Sequence, residues 1–215
     1  MKTVLVLGVA RSGTSMTAGM LNILGVNFHE TKKLEKHVEQ NPKGTFENVT
    51  FITITSKMHQ DYTSGGKTLR FVKDRYEKRL QDAIKNHEQP LWGFKSAVTH
   101  HFLPIILPLL KNPHIVVVVR SLLHNAQSWK VHMREVYGRN VTLNEALENI
   151  SKSQDALMRN SLTAKCPKLF TSYEHIKKDA WAEAARMAEF IDVDPETKKQ
   201  EILDFVMPEY STLNQ

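Results

Sequence analysis

Residues 3–16, TVLVLGVARSGTSM, run from an apolar stretch into a glycine-punctuated turn and then into a helix start. The apolar run carries no polar alternation, which suits a strand covered on both faces. The turn has the frame of a phosphate-binding loop, Gly8-x4-Gly13-Thr14-Ser15. Backbone N–H groups in such a loop cradle an anion at a helix N-terminus. Thr14 stands where a nucleotide hydrolase carries the lysine that reaches the β/γ-phosphates. The basic residue is instead Arg11, inside the loop. This is a frame for a phosphate-like anion outside ordinary triphosphate chemistry.

Working outward, further strand candidates are 90–94 (PLWGF), 114–119 (HIVVVV) and 168–172 (KLFTS). Helical patterns fill the intervals at 14–25, 67–86, 143–163 and 178–191. The third opens with a capping box, Thr142-Leu-Asn-Glu145, and places Leu143, Leu147, Ile150 and Leu157 on one stripe. Strand–helix alternation predicts a three-layer α/β/α fold with a mainly parallel central sheet, spanning residues 1–215 as one domain. Ligands in such folds bind beyond the carboxyl ends of the strands. The strand exits here offer cations: Arg11 after the first, Lys95 after the second, Arg120 after the third. A triphosphate hydrolase would place an aspartate there to hold magnesium. Only the last strand leads to an acid, Glu174, with Tyr173 before it.

Five segments, in order, resemble the sulfotransferases that use 3′-phosphoadenosine 5′-phosphosulfate (PAPS). Gly8-Val-Ala-Arg-Ser-Gly-Thr-Ser15 is similar to their 5′-phosphosulfate loop, and Arg120-Ser-Leu-Leu-His-Asn-Ala-Gln-Ser128 to their 3′-phosphate motif. Ser172-Tyr-Glu-His-Ile-Lys-Lys-Asp179 resembles the segment whose tyrosine lies by the adenine. Leu91-Trp-Gly-Phe-Lys-Ser96 resembles the one supplying a catalytic lysine. Asn41-Pro-Lys-Gly-Thr-Phe-Glu-Asn48 is similar to a loop that contributes a carboxylate in some branches.

The resemblance implies a P-loop-like fold and sulfuryl transfer from PAPS to a hydroxyl or amine, with no metal. It assigns the donor to the backbone of Ser12, Gly13, Thr14 and Ser15, to Arg11, and to Arg120, Ser128 and Tyr173. Lys95 and Arg11 would neutralise charge on the leaving oxygen, and Glu47 would be the general base, with Glu30 in reserve. Two departures stand out. Ala97 occupies the position where many cytosolic members have a histidine, although His100 and His101 follow at another spacing. The C-terminal arginine–lysine–glycine segment is replaced by FVMPEYSTLNQ.

Composition narrows the alternatives. The chain has 215 residues and a net charge of +6, favouring anionic ligands, but no block of like charge that singles out nucleic acid. Cys166 is the only cysteine, so an intrachain disulfide and a cysteine-based zinc site are excluded, and a reducing, cytoplasmic setting is expected. No apolar run reaches transmembrane length, and the short run after Lys2 breaks too early for a signal peptide. The triplets at Asn48 and Asn140 match a glycosylation signal, which has no meaning without secretion. The acceptor is expected to be a small molecule, glycan or lipid. Two other classes fit the loop: a small-molecule or nucleotide kinase, and an inactive nucleotide-binding module of the same fold.

Overall fold

A computed structural model describes residues 1–29, 43–64 and 66–206. Its sheet contains β1 (Lys2–Gly8), β2 (Leu91–Lys95), β3 (Pro113–Val119) and β4 (Lys168–Ser172), all parallel, in the order β2-β1-β3-β4. The helices are α1 (Thr14–Ile23), α2 (Val49–Thr63), α3 (Leu69–His87), α4 (Leu103–Ile106), α5 (Leu122–Tyr137), α6 (Leu143–Thr163), α7 (Tyr173–Lys178), α8 (Ala180–Ile191) and α9 (Lys199–Phe205). All four expected strands are present, and the three-layer α/β arrangement is as the alternation predicts.

The unbroken apolar runs have the cause inferred from sequence. In β1, Leu5 and Leu7 join Val72 and Leu80 of α3, Phe51 and Met58 of α2, and Ile150 and Leu157 of α6. Val4 and Val6, pointing the other way, pack with Met20 and Leu21 of α1, Ala184 and Met187 of α8, and Ile202 of α9. β3 repeats the split, with Ile115 and Val117 on one face and Val116 and Val118 on the other. Each such side chain contributes about 1.5–3 kcal/mol relative to exposure. Burial on both faces therefore makes β1 and β3 the axis of the fold.

The capping box forms as read: Thr142 Oγ1 accepts from Glu145 N at 3.2 Å, and Glu145 Oε2 accepts from Thr142 N at 2.7 Å. The expected helix at 178–191 forms as α8 from Ala180, and a short helix, α7, precedes it. Asp179 ends α7 and caps α8, its carboxylate accepting from Ala182 N at 2.9 Å. Helix α2, outside the helical patterns read from the sequence, is rich in β-branched residues that disfavour a helix on propensity. Tertiary burial of Phe51, Ile54 and Met58 overrides that preference. Its N-cap is Asn48, 3% exposed, whose side chain accepts from Thr50 N at 2.9 Å. The first glycosylation triplet is therefore a helix cap. Among the described residues no helix is long and apolar enough to cross a membrane.

Candidate active site

The loop after β1 turns through two left-handed residues, Arg11 (φ 70°) and Gly13 (φ 97°). Gly13 is the N-cap of α1, no side chain caps that helix, and its first turn carries no acid. A Cβ at Gly13 would stand 2.9 Å from Tyr173 Cδ2, so close approach as well as φ requires glycine. The first intrahelical bond runs from Thr17 N to Gly13 O at 3.0 Å. The N–H groups of residues 13–16 precede it and remain available to an anion at the positive end of the helix. This shifts the expected cradle by one residue, because Ser12 N already donates to Val9 O at 3.1 Å. Ser12 Oγ, by contrast, is buried with no partner.

The third strand exit converges on the first. Arg120 Nη1 donates to Arg11 O at 3.1 Å, and its guanidinium lies 4.2 Å from the centre of the Tyr173 ring. Arg11 Nε donates to Ser128 Oγ at 3.3 Å. The Asn125 amide, with its nitrogen turned to the loop, donates to Ala10 O at 2.9 Å and Arg11 O at 3.2 Å. Sequence inspection missed Asn125. Its signal was a polar residue on the α5 face that also carries Ser128, and both prove buried. Arg120 Nε is buried without a partner. Burial lowers the pKa of Arg120, and burial together with the charge of Arg120 lowers that of Arg11. Two guanidinium groups held this close favour an anion between or beside them.

Lys95 ends β2, opposite Val6 of β1. Its ammonium donates to Glu47 Oε1 at 2.9 Å, with side chains 5% and 22% exposed respectively. Burial lowers the lysine pKa, the Glu47 carboxylate opposes that, and the charge of Arg11 adds to the lowering. The next residue, Ser96, shares a 3.0 Å hydrogen bond between its hydroxyl and that of Thr55 on α2. The same exit leads to His100 and His101, whose rings lie 4.1 Å apart, with His59 5.2 Å from His101. Burial pushes their pKa values down, to about 3 for His100 and about 4 for His101. His100 is a packed, neutral ring, only 2% exposed, and thus a poorer proton acceptor for a substrate than the accessible Glu47.

The structure thus brings Arg11, Ser12, Gly13, Arg120, Ser128 and Tyr173 into one connected cluster. Thr14 and Ser15 form the first turn of α1 beside it, and Lys95 with Glu47 joins through Arg11. Glu30 lies outside the described residues. Glu174 is engaged locally: it accepts from Ser121 N at 3.0 Å and stands 4.0 Å from His124 Nδ1. Among the described residues no group of three or more His, Cys, Asp or Glu is disposed to hold a metal.

Comparison with solved structures finds the same architecture. The sulfotransferase domain from the curacin biosynthetic pathway superposes with a TM-score of 0.59 at 17% identity, over 97% of this chain and 79% of that one. A mouse sulfotransferase complexed with PAP gives 0.58 at 14% identity, over 96% of this chain and 65% of that one. Retinol dehydratase in complex with androsterone and inactive cofactor PAP gives 0.52 at 14% identity, over 99% and 66%. The chain therefore spans about two thirds of the latter two. No curated protein matches significantly in sequence. The sulfotransferase domain profile, however, matches residues 1–210, taking in all four strands and every cation of the cluster. By that match, and with the fold in agreement, the chain belongs to the sulfotransferase family.

Proposed function

We propose that the protein is an enzyme that transfers a sulfuryl group from PAPS to a hydroxyl or amine on a small-molecule, glycan or lipid acceptor. The observation that carries this reading is the Lys95–Glu47 pair, a cation and a carboxylate 2.9 Å apart, electrostatically coupled to the Arg11 loop. The donor fits the orphaned groups of the site. The uncapped start of α1 and Ser12 Oγ would hold the 5′-phosphosulfate. Arg120, with its unpartnered Nε, and Ser128 would hold the 3′-phosphate, and the Tyr173 ring would flank the adenine. Two known binders of PAP share the fold.

Glu47 would accept the proton as the acceptor oxygen or nitrogen bonds to sulfur. The bond from sulfur to the phosphate oxygen breaks, and 3′-phosphoadenosine 5′-phosphate (PAP) leaves. Lys95 and Arg11 would offset the charge that develops on that bridging oxygen. Catalysis of this kind is positioning plus electrostatics, which the chain's cations supply without a lysine in the loop. The single cysteine, Cys166, is free and only partly exposed, which fits a reducing cytoplasmic setting.

Thermal unfolding with PAP, compared with ATP plus magnesium, tests the donor site. A ligand that binds only the native state raises the midpoint. Stabilisation by PAP that disappears in Arg120→Ala is expected; stabilisation by ATP alone would sink the reading. Transfer of labelled sulfate from PAPS to alcohols, phenols and amines, lost in Glu47→Gln with PAP binding retained, tests the base.

A further inference from the structure

Residues 43–48 carry Glu47 to Lys95, and at their start they are anchored on α9. Lys43 Nζ donates to Asp204 O and Phe205 O, both at 2.8 Å, satisfying carbonyls at the end of α9. The same ammonium stands 5.3 Å from the Phe205 ring centre. Phe46 is left-handed (φ 53°), an uncommon conformation for an aromatic residue, and its ring meets that of Phe205 edge-on at 6.0 Å. Both rings lie over Gly19 of α1. A Cβ there would come within 2.1 Å of Phe205 Cζ and 2.9 Å of Phe46 Cε2. Immediately beyond, Glu47 reaches Lys95 and Asn48 caps α2.

We infer that Phe205 of α9 is a positioning residue for Glu47: by seating Phe46 against Gly19 it holds the strained backbone turn that aims the carboxylate at Lys95. This rests on the Glu47 reading above. The physical reason is that a left-handed Phe46 is strained and persists only where surrounding contacts over-determine it. The ring pair and the Lys43 bonds are those contacts. Among the described residues, α9 makes no hydrogen bond to Lys95 or to the loop cations, and its contacts toward the pair run through residues 43–46. Gly19, six residues beyond Gly13, must be glycine to admit both rings.

The test is the titration of Lys95, followed by NMR of 13C-labelled lysine in the full chain, together with calorimetric binding of PAP. Glu47→Gln removes the opposing carboxylate, so the Lys95 midpoint should fall by about one unit or more. Phe205→Ala should lower it similarly with PAP affinity unchanged, and Phe205→Leu, which keeps part of the apolar contact, should fall between. The leucine variant carries the test if the alanine variant does not fold. A wild-type Lys95 midpoint in the Phe205 variants, beside a lowered one in Glu47→Gln, overturns the inference alone. Loss of PAP binding in the Phe205 variants also overturns it, because the helix would then support the fold at large. A Lys95 midpoint unmoved by Glu47→Gln would instead break the underlying pairing.

Discussion

The two halves of the site are built differently. On the side of β1, β3 and β4, the loop is interlocked: Arg120 and Asn125 both hold Arg11 O, Ser128 receives Arg11 Nε, and Tyr173 lies against Gly13 and Arg120. On the side of β2, one ion pair joins Lys95 to a segment fixed from a distance by Phe205. The first half is tied together at the loop itself; in the second, the Lys95–Glu47 ion pair is held by contacts that lie away from the loop, on α9 and α1. Donor recognition and group transfer should therefore fail separately.

Lys95→Ala is the sharpest way to separate them. Removing a preorganised charge from a transfer site costs about 10²–10³-fold in turnover. Sulfate transfer from PAPS should fall accordingly while calorimetry still shows PAP binding. A parallel loss of binding would erase the distinction between the halves. Arg120→Ala attacks the other side. A hydrogen bond to a charged group contributes about 1.5–3 kcal/mol, so PAP affinity should weaken about ten- to hundredfold. Adenosine 5′-phosphate, lacking the 3′-phosphate, should lose much less.

Acid should tell the halves apart next. His100 and His101, just past Lys95, have pKa values pressed by burial to about 3 and about 4, below the ordinary 6.5. Unfolding frees them to bind protons, so the unfolded state carries more protons in this window. Their contribution to stability is complete above about pH 6.5 and declines as pH falls toward those values. The unfolding midpoint should drop between about pH 7 and pH 5, with a shallower slope in His101→Gln. An equal slope in that variant would remove the histidines from the account. The smallest effect belongs to neither half: Thr142→Ala, which breaks the α6 capping box, should cost about 1 kcal/mol in chemical denaturation and leave PAP binding alone.

The same contrast explains what was legible in the sequence. The loop residues are consecutive, and Lys95 and Arg120 are marked by the strands they end, so local pattern sufficed to find them. Tyr173 and Ser128 were located by a family resemblance that the profile match supports at the level of the family. Asn125 was not found, because a buried amide on a helix looks like a surface one until the loop it holds is in place. Helix α2 was hidden by its β-branched composition, and with it the frame that carries Asn48 and Thr55. The roles of Phe46, Gly19 and Phe205 were invisible for a simpler reason: three residues spread over nearly the whole chain meet only where α1 and α9 share one face of the sheet.

The parallel sheet also acts as a ruler. Lys95 is level with Val6 of β1, while Val118 of β3 is level with Gly8. The ends of β2 and β3 are two strand spacings apart, about 10 Å across the sheet, and roughly three residues, near 10 Å, along it. Backbone hydrogen bonds fix both displacements, so the strand ends keep this offset and only the side chains that leave them can shorten it. A ligand with negative charge at two separated points matches that offset with both side chains extended from their strand ends.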